Sequence, residues 1–590
     1  MTSMDRRNSI AQWAFDTRPI LLRFHIWIED VEESWSRGAE GPGFSFVPPG
    51  FERGFVMAAA VTALGTRLFG RYGEGTGLGK KEMNRVKKDA DAVSAYALSE
   101  AFWHLTRWLP ENHALMISLG EGLIPKGGET PDMGSNPLLG FGRVYARPEV
   151  ARFLDRRVSW LINDPKFTWD DFWRHVRAAN MTVWGASVDT LENTTRFAAG
   201  SPTGPLTVFH LFDQPLRVTR PYEGYVGTLI LPREVVDSAA RRSVLINYHS
   251  SRALVLDAIR ATYPNIPPGR IHVWTLGGAS RTARIGSLWK EWQDLGVGVV
   301  DDGWEVVGTG IPAFTDSGTY APVFRVGVHE DEAGDEHLFL TDGYAATAEA
   351  LQAASLDPVL GLHSSLCMFT SQFRVSWEKE RNVMQIDPEA ADFERRLAAA
   401  LEKDVGADEA AEFRGILREA RDAGMPVGKR IVTVDDFFPE KHWRVLALAG
   451  HMVDDPYSGA HGVERITENV YRVTTRAATE RGMLEARLTL RLRDPMDEMK
   501  LVFSPLLDRF YAGTDWRSRP VRISDSGRIR NELQTLAYGS LETLPDGRIH
   551  VDFDRIGDDV MEPDKKALIR KVLCWYKENH PLWFSWLELA

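Results

Sequence analysis

Cysteine is nearly missing from this chain: Cys367 and Cys574 are the two thiols in 590 residues. Two thiols exclude a disulfide framework, and they exclude a zinc site built from four thiolates. Low cysteine usage fits a reducing compartment, and the expected location is the cytoplasm. Long apolar runs are missing too. Residues 55–64 come nearest, but a bilayer span needs about 20 apolar residues, and Arg53 and Arg67 close this run on both sides. Neither a membrane span nor a signal peptide is expected. An excess of basic residues is also lacking, since the net charge is −12. General nucleic-acid binding needs a basic surface to displace counterions, so it is not expected.

The familiar catalytic signatures are absent as well. The densest glycine cluster, residues 70–81, lacks the Gly-Lys-Ser/Thr ending of a P-loop and reads as a surface loop. Residues 120–142 form a second glycine-rich connection whose apolar residues favour order. No Gly-x-Ser-x-Gly nucleophile elbow occurs. His442, His451 and His461, with Asp454 and Asp455 nearby, match no zinc-ligand spacing.

What remains is an ordinary globular composition, 44% hydrophobic and 26% charged. The length exceeds what one core usually serves. Three regions are expected: a mainly helical one with glycine-rich loops (1–205), an α/β core (206–386), and a helical segment followed by an α+β part (387–590).

The α/β core is the informative stretch. Residues 243–249 are rich in β-formers, 251–263 carry a helical pattern, and 271–276 read as a strand running into Gly277-Gly-Ala-Ser-Arg281. A second helical pattern, 282–295, leads to Val297-Gly-Val-Val300. Alternation of this kind predicts a central, mostly parallel sheet with flanking helices. Residues 323–328 and 337–341 flank an acidic turn and predict a hairpin, with a helix over 344–355.

Chemistry is expected outside the carboxyl ends of such strands. A glycine turn between strand and helix frees backbone amides, and the helix dipole adds positive potential. Gly277, Gly278, Ser280, Arg281 and Arg284 are therefore the candidate anion site, against a competing role in tight strand–helix packing. Histidine as a residue type titrates near neutrality, and His249 closes a predicted strand, so it is a candidate base, against a capping or packed role. Asp316 and Asp342 are candidates for acid–base work, with N-capping as the structural alternative for Asp342. Asp301 and Asp302 are candidate metal ligands. The cofactor is left open, and magnesium is the ion such carboxylates suit.

These observations point to an isomerase or lyase acting on a small anionic, phosphorylated metabolite, in a chain expected to self-associate. The alternative is a non-catalytic homo-oligomeric scaffold or binding module.

Overall fold

The computed structural model describes residues 26–36, 51–106, 109–120, 139–164, 166–217, 225–275, 279–300, 320–367, 375–422, 431–455, 459–479, 482–492, 541–543, 549–552 and 587–589, with a few single positions among the last residues. The chain opens with β1 (Ile26–Ser36) and two long helices, α1 (Phe51–Phe69) and α2 (Lys80–Thr106). Strands β2 (His113–Gly120), β3 (Val144–Ala146), β4 (Thr182–Glu192) and β5 (Leu206–Phe212) follow, with helices α3 (Pro148–Asn163), α4 (Trp169–Ala178) and α5 (Thr194–Ala199) among them and α6 (Arg233–Arg241) after them. Far along the chain come β13 (Val445–His451), β15 (Val470–Thr479) and β16 (Gly482–Leu492). These strands share one sheet, in the order β1-β16-β15-β13-β5-β4-β2-β3, with the short β14 (Glu464–Arg465) on β15. Only β2 and β4 run parallel in it. Helix α1 is apolar because it is buried: residues 55 to 61 are fully inaccessible and face this sheet. Its Thr62 and Thr66 hydroxyls satisfy themselves on the carbonyls of Ala58 and Thr62, four residues back.

The second sheet is built from β6 (Tyr225–Pro232), β7 (Ile271–Trp274), β8 (Gly298–Val300), β9 (Gly327–Glu330), β10 (Glu336–Ala346), β11 (Leu362–Cys367) and β12 (Ile431–Val432). Its order is β12-β11-β6-β10-β7-β8, with β9 on β10. Here the expectation of a mostly parallel sheet fails. Only β10–β7 and β7–β8 are parallel; the other pairings are antiparallel. Residues 243–249 are not a strand at all. Both sides of β6 are already taken by β10 and β11, so no place beside it is left for this segment. Ser243 adopts φ 59°, ending the preceding helix, and Leu245 is exposed. The parallel βαβ unit that does form is β7, then helix α8 (Ala279–Asp294), then β8.

One face of this sheet is covered by α7 (Arg252–Thr262), α8 and α10 (Trp377–Val383). On the other side α9 (Thr347–Ala354), buried along its whole length, wedges between the sheets. Gln352 Nε2 donates to the Ser187 carbonyl on β4 at 3.1 Å, and the Ser355 hydroxyl meets His210 Nδ1 on β5 at 2.7 Å. The hairpin β9–β10 forms, but its first strand is Gly327–Glu330 rather than 323–328, because residues 320–323 are helical. Its second strand runs straight through Asp342 and Gly343, however, so Asp342 does not cap a helix. Gly343 sits at φ 149° against Thr275 Oγ1, 2.4 Å from where a Cβ would stand. Only glycine lets the strand pass that point. Among the described residues, no helix is long and apolar enough to cross a membrane.

Candidate functional site

The register of the second sheet lays out the site's floor. Cys367 on β11 pairs with Gly227 on β6, and Gly227 pairs with Tyr344 on β10. Residues directly opposite one another point to one face, as do residues two apart along a strand. Cys367, Tyr344, Ser365 and Asp342 therefore share the face beneath α7, α8 and α10. Gly227 has no side chain to fill the gap between Cys367 and Tyr344. The ring of Tyr248 lies there instead, its carbons 2.4 Å from the position a Cβ would take.

The segment before α7 forms the wall. It is irregular but fixed. The Tyr248 amide donates to Ser365 Oγ at 2.9 Å, the His249 amide to Asn247 Oδ1 at 2.9 Å, and the Asn247 amide to Ser250 Oγ at 3.0 Å. Ser251 caps α7 by accepting from the Leu254 amide. Arg252 then turns inward and is fully buried. Its Nη1 donates to the carbonyls of Tyr248 (2.8 Å) and Ser250 (2.5 Å), gripping the backbone on both sides of His249. Its Nε and Nη2 donate to the two oxygens of Asp342 at 2.7 and 2.6 Å. Trp292 Nε1 adds a third bond to Asp342 at 2.7 Å. Both partners of this ion pair are wholly inaccessible. Burial pushes the Asp342 carboxyl up, while the guanidinium and the indole N–H pull it back.

Helix α10 brings the remaining group. Trp377 and Glu380, three residues apart, lie on its buried face. The guanidinium of Arg252 stacks 4.7 Å from the Trp377 ring centroid. Glu380 Oε2 accepts from the Tyr344 hydroxyl at 2.9 Å. Its Oε1 points at Cys367 and His249: Cys367 Sγ lies 3.6 Å from it, and His249 Nε2 3.8 Å. Cys367 Sγ and His249 Nε2 are 3.4 Å apart. The His249 side chain is 7% exposed and the Glu380 side chain 0%. Among the described residues this is the one group of three such donors that could hold a metal ion.

The three distances can be compared with those around a bound metal. Around a tetrahedral zinc, with Zn–S about 2.3 Å and Zn–N or Zn–O about 2.0–2.1 Å, ligand atoms stand roughly 3.4–3.6 Å apart. The Sγ–Nε2 and Sγ–Oε1 edges match a face of such a tetrahedron, and the Nε2–Oε1 edge, at 3.8 Å, is a few tenths of an ångström wider. A nucleophilic triad is arranged differently: its histidine meets the nucleophile through one ring nitrogen and the orienting acid through the other. Here the thiol and the acid both meet Nε2. Two phenols border the cluster, and burial pushes both the Tyr248 and the Tyr344 hydroxyl well above their usual range.

Of the residues expected from sequence, His249 belongs to this cluster. Asp342 lies two residues from Tyr344, on the same face, with its oxygens engaged by Arg252 and Trp292. Arg284, half-buried on α8, places its guanidinium 5.1 Å from the Tyr344 ring centroid. Ser280 and Arg281 fall in the first turn of α8. Gly277, Gly278, Asp301, Asp302 and Asp316 lie outside the described residues. The other glycine loop lies at the surface, exposed over residues 76–81, with its first half tied down: the amides of Gly73 and Gly75 donate to the carbonyls of Phe197 and Ala198 at 3.1 and 2.8 Å. Cys367, Glu380, Tyr344 and Tyr248 were not singled out by sequence reasoning. The only local signal was chemical, a cysteine rare enough that its position mattered.

A second buried polar chain links β7, β10 and the β9–β10 turn. His272 Nε2 and His337 Nδ1 are 2.8 Å apart, and His337 Nε2 lies 3.3 Å from Asp331 Oδ2. Burial brings His272 down to about 4, aided by repulsion from His337. It holds two imidazoles and one carboxylate in series rather than around a point. No protein-family model matches the chain, and no curated protein matches it by sequence.

Proposed function

We propose that the protein is a metal-dependent enzyme holding one zinc-class cation through His249 Nε2, Cys367 Sγ and Glu380 Oε1. The observation that carries this reading is the convergence of three chemically different donors on one point, at spacings close to those of a tetrahedral face. A thiolate among the ligands favours zinc, cobalt or ferrous iron over magnesium, which takes oxygen ligands. Three protein ligands leave a fourth position for water or substrate, the pattern of catalytic rather than structural zinc. A dication with one thiolate, one carboxylate and a neutral imidazole is electrically balanced. Such a centre polarises a carbonyl or lowers the pKa of a bound water, and both suit a hydrolase or a lyase.

Arg284 supports a small anionic substrate, because its guanidinium stands beside Tyr344 at the edge of the cluster. The strand–glycine–helix junction that precedes Arg284 is the proposed seat of the substrate's anion, with Ser280 and Arg281 in the same first turn. A cytoplasmic location fits a thiol that must stay reduced to bind metal.

The second reading is a thiolate nucleophile, favoured by the 3.4 Å separation of Cys367 Sγ and His249 Nε2. Metal content of the purified full chain and of three variants separates the two. The metal reading expects about one zinc-class ion per chain, retained through gel filtration and lost in H249A, C367S and E380Q. Protein that stays metal-free after reconstitution with zinc or cobalt sinks it and leaves the thiol reading.

A further inference from the structure

We infer that the Tyr248 hydroxyl is the hydrogen-bond donor to the ligand at the fourth metal position, so that the site selects oxygen donors: a carboxylate, a carbonyl oxygen or hydroxide. This rests on the metal reading above. Three observations carry it. The Tyr248 side chain is completely buried, yet among the described residues its hydroxyl has no hydrogen-bond partner. Buried hydroxyls are rarely left unpaired, because the lost hydration is not regained. The ring is seated on Gly227, between Cys367 and Tyr344 across the sheet, which brings the phenol to the cluster rather than away from it. Its ring centroid lies 5.5 Å from that of His249, one of the three donors.

The neighbouring phenol cannot take this role, because Tyr344 already donates to Glu380. Tyr248 also follows directly on the clamp: its own carbonyl is held by Arg252 and its amide by Ser365. The phenol is therefore fixed in place before any ligand arrives, as an oxyanion donor should be. A ligand atom that binds the metal and accepts from the phenol must carry lone pairs suited to both. Oxygen does; iodide coordinates metals but accepts hydrogen bonds poorly.

The test uses the full chain loaded with cobalt(II), whose visible spectrum reports the fourth ligand. Acetate and iodide are titrated into wild type and Tyr248→Phe. The expected result is one cobalt per chain in both proteins, acetate binding weakened about tenfold in Y248F, and iodide binding unchanged. Metal-free Y248F is expected to melt no lower than wild type, since the hydroxyl it loses makes no bond among the described residues. Should Y248F fail to fold, Tyr248→Met supplies similar apolar volume without a donor and serves the same titration. Equal acetate affinities in wild type and variant, or a wild-type spectrum that acetate leaves unchanged, overturn the assignment of Tyr248 alone. Failure of wild type to bind cobalt overturns the metal reading instead.

Discussion

Arg252→Met is the most informative single change, because one side chain ties the fold to the site. Arg252 makes two bonds to Asp342 and two to the carbonyls flanking His249, all inside the protein. Methionine keeps much of the apolar stem but leaves Asp342 as a buried carboxylate held only by Trp292. Breaking a buried ion pair from one side costs about 3–5 kcal/mol, since the remaining charge is uncompensated. Asp342 can escape part of that cost by taking up a proton. Its carboxyl is already pushed up by burial, and without the guanidinium it rises further. A carboxyl whose folded pKa is raised binds protons more tightly in the folded state, so stability falls as pH rises above its unfolded value. The destabilisation of R252M should therefore be smaller near pH 5 and larger near pH 8. Urea denaturation at both pH values measures it. Converting Asp342 to leucine in the same chain should recover most of the loss, because an apolar pair can replace a buried ionic one. The variant should also hold metal more weakly, since the backbone around His249 is no longer gripped. A loss below about 1 kcal/mol, independent of pH and with metal retention unchanged, would refute both the energetic and the positional argument.

Three further outcomes follow from the same geometry. Tyr344→Phe removes the hydroxyl that orients Glu380 and should weaken metal retention roughly 10–100-fold, with a stability loss of about 1–3 kcal/mol from the buried carboxylate left without that donor; competition with a chelator and denaturant melts measure the two. Gly227→Ala puts a methyl group 2.4 Å from the Tyr248 ring. It should cost about 1–3 kcal/mol by overpacking and lower metal occupancy, and a denaturation curve at wild-type stability would contradict the close approach. Buried His210 is brought down to about 3 by burial alone, so the unfolded chain binds its proton first as pH falls. That contribution is complete above about pH 6.5 and is lost towards pH 3, on the order of 4 kcal/mol in all. Denaturant melts of wild type and His210→Asn across that window should converge as the pH drops.

Much of the local structure was legible, while its assembly was not. Ser251 before an apolar helical pattern marked α7, and the acidic turn between two β-rich runs marked the β9–β10 hairpin. Alternation of strands and helices was read as parallel topology, yet sequence pattern does not say which strand lies beside which. β6 takes β10 and β11 as antiparallel partners, and that pairing removed the place reserved for residues 243–249. Asp342-Gly343 resembled a turn before a helix because glycine commonly makes turns. In the fold, that glycine is what lets a long strand pass Thr275.

The site divides in the same way. His249 was visible as a histidine beside a helix start. Cys367 lies 118 residues further along, at a strand end, and Glu380 on a helix beyond it; no spacing rule joins them. What joins them is the register Cys367–Gly227–Tyr344 and the packing of α10 over it. Arg252, the residue that fixes the arrangement, gave no sign in the sequence because a buried arginine looks like any other until its partner is known.

X-ray absorption at the zinc edge of the purified, zinc-loaded chain tests the central claim most directly. The account predicts one sulfur at about 2.3 Å together with nitrogen or oxygen neighbours at about 2.0–2.1 Å, and the sulfur shell should vanish in Cys367→Ser while persisting in Cys574→Ser. A spectrum with no sulfur neighbour, or one whose sulfur survives the loss of Cys367, would contradict it.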